Sequence, residues 1–150
     1  MFAKSIVAVA LLAGFTAAQS NSNTTLDPNS VELNTRVSWC SGEINTCGTL
    51  CSGATTNNDC DTNTLTFNCT CAANNSAPGL QYYTQTMPTF ICEQIFQNCI
   101  VAGENDAAAQ RLCTQNEAKN CGHLNPENFT AVPSSSSAAP SSTAAGASGA

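Results

Sequence analysis

Ten cysteines fall between Cys40 and Cys121 of this 150-residue chain, ten in 82 positions. No other feature limits the fold as strongly. An even, dense set of cysteines in a short chain is a disulfide framework wherever the compartment is oxidising. Each bridge restricts the unfolded chain and stabilises by typically ~2–4 kcal/mol. Cys40, Cys47, Cys51, Cys60, Cys69, Cys71, Cys92, Cys99, Cys113 and Cys121 are therefore all expected to be oxidised, with no free thiol.

The N-terminus supplies the compartment. Lys4 gives a positive start, Ile6 to Phe15 a short apolar run, and Thr16-Ala17-Ala18 small residues at a cleavage position. Together these read as a secretory signal peptide over 1–18. The apolar run is much shorter than the ~20 residues of a membrane span, so the mature chain is expected to have none. Removing Lys4 moves the formal charge from −6 to −7. Only 9% of residues are charged, and no basic cluster is present, which argues against nucleic acid as a partner.

Residues 19–35 are polar and without periodicity, and read as a solvated N-terminal arm. Residues 129–150 are dominated by Ser and Ala and read as a disordered tail. Small residues crowd positions 144–150 with no hydrophobic run after them, so anchoring through a GPI signal stays open. The cysteine-rich domain is placed at 36–128. N-glycosylation is expected at Asn23, Asn74 and Asn128; the sequon at Asn68 is doubtful because Cys69 must be bonded.

Within the domain, Val37, Trp39, Cys40, Ile44, Cys47, Leu50 and Cys51 follow a helical period. Ser38 is read as the cap and Gly53 as the stop. Residues 54–61 read as a turn-rich loop. Leu65, Phe67, Cys69 and Cys71 alternate on one face of a strand over 64–71. A short helix is expected over 81–86. Pro88 opens a helix reaching about Ala102, and Asn105 or Asp106 caps another reaching about Asn120. The fold class is thus mostly α: a small disulfide-stapled helical domain with one short strand or hairpin, flanked by disordered arms.

The second half permits a prediction of pairing. Two helices joined by about three residues are antiparallel neighbours. Residues across such a hairpin have a nearly constant sum of numbers, which pairs Cys99 with Cys113 and Cys92 with Cys121. The other six cysteines then pair among themselves and staple the first helix to the strand, in an order left open. Cys69 and Cys71 share a strand face and can reach two partners on the helix.

Trp39-Cys40, Cys47-x3-Cys51, Cys69-Thr70-Cys71, Ala77-Pro78, Tyr82-Tyr83, Thr86-x-Pro88, Phe90-x-Cys92 and Cys121-Gly122 occur in that order. This set resembles an uncharacterised ten-cysteine domain of fungal secreted, often GPI-anchored, cell-surface proteins. A weaker resemblance, carried by Cys47-x3-Cys51, Cys60-Asp61 and Cys69-x-Cys71, is to the CFEM domain, some members of which bind haem. That resemblance implies Asp59 or Asp61 as an iron ligand; turn chemistry alone accounts for Asp at both positions and is the favoured reading.

Catalytic chemistry is not legible. His123 is the single histidine, and no triad can be assembled around it. Cys47-x3-Cys51 has zinc-like spacing, but oxidised cysteines cannot ligate. Glu43, Asp59, Asp61 and Glu93 share no motif that would make a carboxylate pair. No catalytic residue, metal site or cofactor is therefore assigned. Trp39, Phe67, Tyr82, Tyr83, Phe90 and Phe96 read mainly as core, with one of the adjacent tyrosines facing out. The function expected is that of a non-enzymatic secreted or wall-associated glycoprotein with a structural or interaction role, in contact with cell-wall polysaccharide or surface proteins. The alternatives are a CFEM-like module for haem or a small lipid, and a secreted effector acting on a host.

Overall fold

The computed structural model describes residues 26–131. The expected signal peptide, Asn23 and all but the first residues of the tail lie outside them. Three helices and one hairpin make the fold: α1 (Leu33–Leu50), β1 (Thr55–Cys60), β2 (Phe67–Cys71), α2 (Met87–Ala102) and α3 (Ala107–Asn120). The expected fold class is the one found, and the strand is half of a two-stranded antiparallel hairpin. No helix among the described residues is long and apolar enough to cross a membrane.

Helix α1 begins at Leu33, inside the stretch read as arm, and Ser38 is not its cap. The reason is tertiary. Asp27 accepts from the Asn29 N–H and starts a 3-10 turn over Pro28–Ser30. Val31 is buried behind it. Arg36 then locks the entry, donating from Nε to the Val31 carbonyl at 3.1 Å and from Nη1 to the Thr62 carbonyl at 2.8 Å. At the other end, Gly53 N–H bonds Gly48 C=O and Ser52 N–H bonds Thr49 C=O, the two bonds of a Schellman motif. Ser52 as well as Gly53 takes a positive φ there, 54° and 81°.

Residues read as a loop form β1. Its two Thr residues favour a strand but Asn-Asn-Asp disfavours one, yet the whole segment pairs with β2 from Thr55↔Cys71 to Cys60↔Phe67. Disulfides explain this: Cys40–Cys60, Cys47–Cys69 and Cys51–Cys71 tie both strands to α1. Cys69 and Cys71 do reach two partners on the helix. The strand itself is shorter than 64–71. Leu65 leaves it with φ 55° to bury its side chain in the turn, and Phe67 is exposed. The expected helix over 81–86 is a 3-10 turn over Leu80–Tyr82.

Helices α2 and α3 pack as an antiparallel pair capped by Asp106, whose carboxylate accepts from the Ala108 and Ala109 N–H groups. Cys92–Cys121 and Cys99–Cys113 close it. These are the two pairs given by the hairpin register. All ten cysteines are paired. The molecule is thus two disulfide-closed blocks, and no bridge crosses from residues 40–71 to 92–121.

That partition predicts a chemical result. Met87 is the only methionine besides Met1 and lies between the blocks. Cyanogen bromide cleavage of unreduced protein should release two fragments that separate in denaturant without a reductant. Fragments that stay together until reduced would show that a bridge crosses.

Noncovalent contacts close the seam. Met87 packs fully buried with Cys40 and Leu65 of the first block. Leu80 completes a second cluster with Cys47, Leu50, Cys51, Cys69 and Cys71. Cystines, Leu and Met fill the core. The aromatic residues, expected to be mainly core, are half-buried or exposed instead.

Candidate functional site

Where the seam reaches the surface, three elements build an open groove of about 350 Å³. Helix α1 contributes Trp39, α2 contributes Phe90, Glu93, Gln94, Phe96 and Gln97, and α3 contributes Glu117. Trp39 and Phe90 stack in parallel, with ring centroids 5.5 Å apart and planes within 1°. Two rings in offset parallel contact hold each other's orientation. Gly42 makes the stack feasible. A Cβ there would lie 3.0 Å from the Phe90 ring edge, so only glycine lets the ring rest unshifted on α1.

Around this floor stand two carboxylates and two amides. Gln94 donates to the Asn98 side chain at 3.2 Å, which fixes its orientation along α2. Glu117 is partly buried and pairs with the more exposed His123 at 3.5 Å. No Lys or Arg lines the groove. Aromatic faces flanked by amides and carboxylates can stack on the apolar face of a sugar ring and hydrogen-bond its hydroxyls.

A second groove, about 390 Å³, lies at the far end of α1 against Cys51–Cys71, Asn74 and Phe129. Its lining is mostly apolar.

The residues singled out from sequence are dispersed. Glu93 lies in the first groove, and Glu43 is buried beneath the seam. Asp59 is exposed on β1. Asp61 accepts from the Asn63 and Thr64 N–H groups at 2.7 and 3.3 Å, as a turn residue does. Neither Asp lines either groove. The sulfurs of Cys47, Cys51 and Cys69 lie within 4.8 Å of one another, but each is in a disulfide and offers no thiolate. Tyr82 is the outward-facing tyrosine, 61% exposed. Asn68, doubted as crowded, is exposed on β2, and Asn74 and Asn128 are exposed as well. Sequence reading missed Glu117 and the union of Trp39 with Phe90. No spacing marks a site drawn from three helices; the only local signal is Phe90, Gln94 and Gln97 on one face of α2.

A family model for a domain of unknown function (DUF7707) matches residues 24–126. The chain belongs to this family. No curated protein and no solved structure matches it. The DUF7707 match covers both disulfide blocks, the turn before α1 and the whole first groove. The domain therefore starts ahead of Leu33, as the Arg36 lock requires.

Proposed function

We propose that this chain is an exported, non-enzymatic glycoprotein of the fungal cell surface or wall, and that the Trp39–Phe90 groove is its contact with polysaccharide. Five disulfides in so small a domain favour an oxidising compartment. The observation that carries the binding role is the stacked pair in an open groove rimmed by Glu93, Gln94, Gln97 and Glu117. An open groove suits an extended polymer better than a small ligand, which pockets usually enclose over most of its surface.

Co-sedimentation with insoluble wall polysaccharides tests this reading. Wild-type protein should be retained on chitin or β-glucan. Trp39→Ala should weaken retention by about tenfold or more, as loss of a central aromatic contact does. Gln97→Ala, at an exposed position that carries no core contact, should weaken it too with the fold intact. No retention on any wall polymer would overturn the reading and favour a soluble effector. Release of soluble sugar by wild type but not by Glu117→Gln would overturn its non-enzymatic part.

A further inference from the structure

We propose that Asn74 carries an N-linked glycan whose first N-acetylglucosamine seats in the second groove and clamps the C-terminal segment onto α1. The attachment point is itself part of the groove: Asn74 lines it together with Leu50, Cys51, Cys71, Ala73 and Phe129. Asn74 is exposed, within the sequon Asn74-Asn75-Ser76. Its Oδ1 accepts from the Ser76 N–H at 3.2 Å, which turns Nδ2 away from the backbone. The turn behind it is held, since Cys71 N–H bonds Ser76 C=O at 2.9 Å and Ala72 N–H bonds Ala54 C=O at 2.9 Å. A sugar on Nδ2 thus starts from a fixed position beside an apolar surface.

Opposite stands Phe129. Its ring meets Tyr83 edge-on, centroids 6.3 Å apart and planes at 79°, and remains half-buried. The free ring surface faces the groove, where the apolar face of a pyranose can cover it. Phe129 follows the turn Pro126–Asn128, which packs on α1, and it is the last aromatic residue of the sequence. Covering it holds the chain where the tail departs.

The covalent step is a transfer from an oligosaccharide on a polyprenyl diphosphate. The Asn74 Nδ2–C1 bond forms, the C1–O bond to the diphosphate breaks, and the amide proton leaves to a base as the diphosphate departs. The inference rests on export, part of the function proposed above, and is independent of polysaccharide binding at the first groove.

The full-length chain, expressed in a glycosylating eukaryotic host and collected from cells and medium alike, is the material for the test. Glycopeptide mapping of Asn128 in wild type tests export by itself. The remaining comparison uses a Thr130→Ala background, so that no sugar at Asn128 shields the neighbouring bond. One sample is trimmed by an endoglycosidase to a single N-acetylglucosamine. The other carries Ser76→Ala, which abolishes the sequon and keeps both Asn74 and the Ser76 N–H that holds the turn. Asn74 should be occupied. The trimmed protein should be cut by chymotrypsin after Phe129 as slowly as the fully glycosylated one, and the Ser76→Ala protein about fivefold faster. A bare Asn74 beside an occupied Asn128 would overturn the proposal and leave export standing. Equal cutting of the trimmed and Ser76→Ala proteins would also overturn it, assigning the groove to the chain's own tail or to a second copy. No glycan at any sequon would overturn export and this proposal together.

Discussion

Replacing Gly122 with Ala should lower stability by about 3 kcal/mol, in the upper range for overpacking a closed site. Gly122 follows α3 and runs against the chain entering α2. A Cβ there would overlap Thr89 Oγ1 and lie 2.7 Å from the Tyr83 carbonyl oxygen and 2.8 Å from the Tyr82 carbonyl carbon. Two of those three are backbone atoms and cannot rotate aside. The Gly122 N–H also donates to Thr89 Oγ1 at 3.2 Å, and Thr89 Oγ1 donates on to the Tyr83 carbonyl at 2.8 Å. Displacing this crossing breaks the Leu124 N–H to Tyr82 C=O and Thr84 N–H to Leu124 C=O bonds, each 2.9 Å. For a domain of this size, such a loss should drop Tm by roughly 10–20 °C. Gly48 is the control. Nothing lies within 4 Å of a Cβ at Gly48, so Gly48→Ala within α1 should raise stability by ~0.5–1 kcal/mol. Thermal melts of the two variants check both signs. A Gly122→Ala protein that melts like wild type would disprove the close crossing.

Removing the Glu43 carboxyl should cost about as much, and replacing it with an amide much less. Glu43 keeps 1% of its surface exposed. Its Oε2 accepts from the Met87 N–H at 2.6 Å, the first amide of α2. Thr86, at the cap position, uses its hydroxyl elsewhere and donates to the Leu80 and Tyr83 carbonyls. Glu43 therefore does from α1 what a local cap does in most helices. Glu43→Ala leaves a buried donor without an acceptor and a small cavity, a loss of about 2–4 kcal/mol. Glu43→Gln keeps an acceptor oxygen and should lose less than about 1 kcal/mol.

The same residue gives a pH signature. Burial raises the Glu43 pKa above the usual carboxylate value, and the Met87 hydrogen bond offsets only part of that rise. Oε1 has no partner among the described residues, and no Lys or Arg among them forms a salt bridge with Glu43, so no cation balances the charge. A carboxyl whose folded pKa is raised binds its proton more tightly folded than unfolded. Its contribution is fully present below the unfolded value of about 4.3 and is lost as pH rises through the raised folded pKa. Wild type should thus lose stability over that window relative to Glu43→Gln, and above it the difference should be constant. Urea melts of both proteins across the acid range measure this. A difference that does not change with pH would show that Glu43 titrates as it does in the unfolded chain.

Much of this architecture is written in local spacing. The α2–α3 pair and both of its disulfides follow from Pro88, Gly103, Asp106 and cysteines set about two helical turns apart, because a link of four residues leaves one way to fold back. The helix stripe over Cys40, Cys47 and Cys51, and its facing cysteines on β2, follow from the 3.6 and 2.0 periods. The candidate groove is another matter. Glu93 was visible as a carboxylate and Trp39 as an aromatic residue, but no period links Trp39, Phe90 and Glu117. Their meeting depends on how two disulfide-closed blocks dock, through Gly42, Glu43 and Met87.

Local spacing is enough for the covalent frame: three helices and one strand, every cysteine bridged, and the bridges kept within each half. Long-range packing is what makes Thr55–Cys60 a strand, starts α1 at Leu33 and places the aromatic rings. The two differ in the range of the interactions. Periodicity, caps and short-loop closure act within a few turns of chain and leave a trace in spacing. Docking of the blocks rests on single close contacts between residues about 45 to 50 positions apart, and shape complementarity of that kind has no pattern along a sequence.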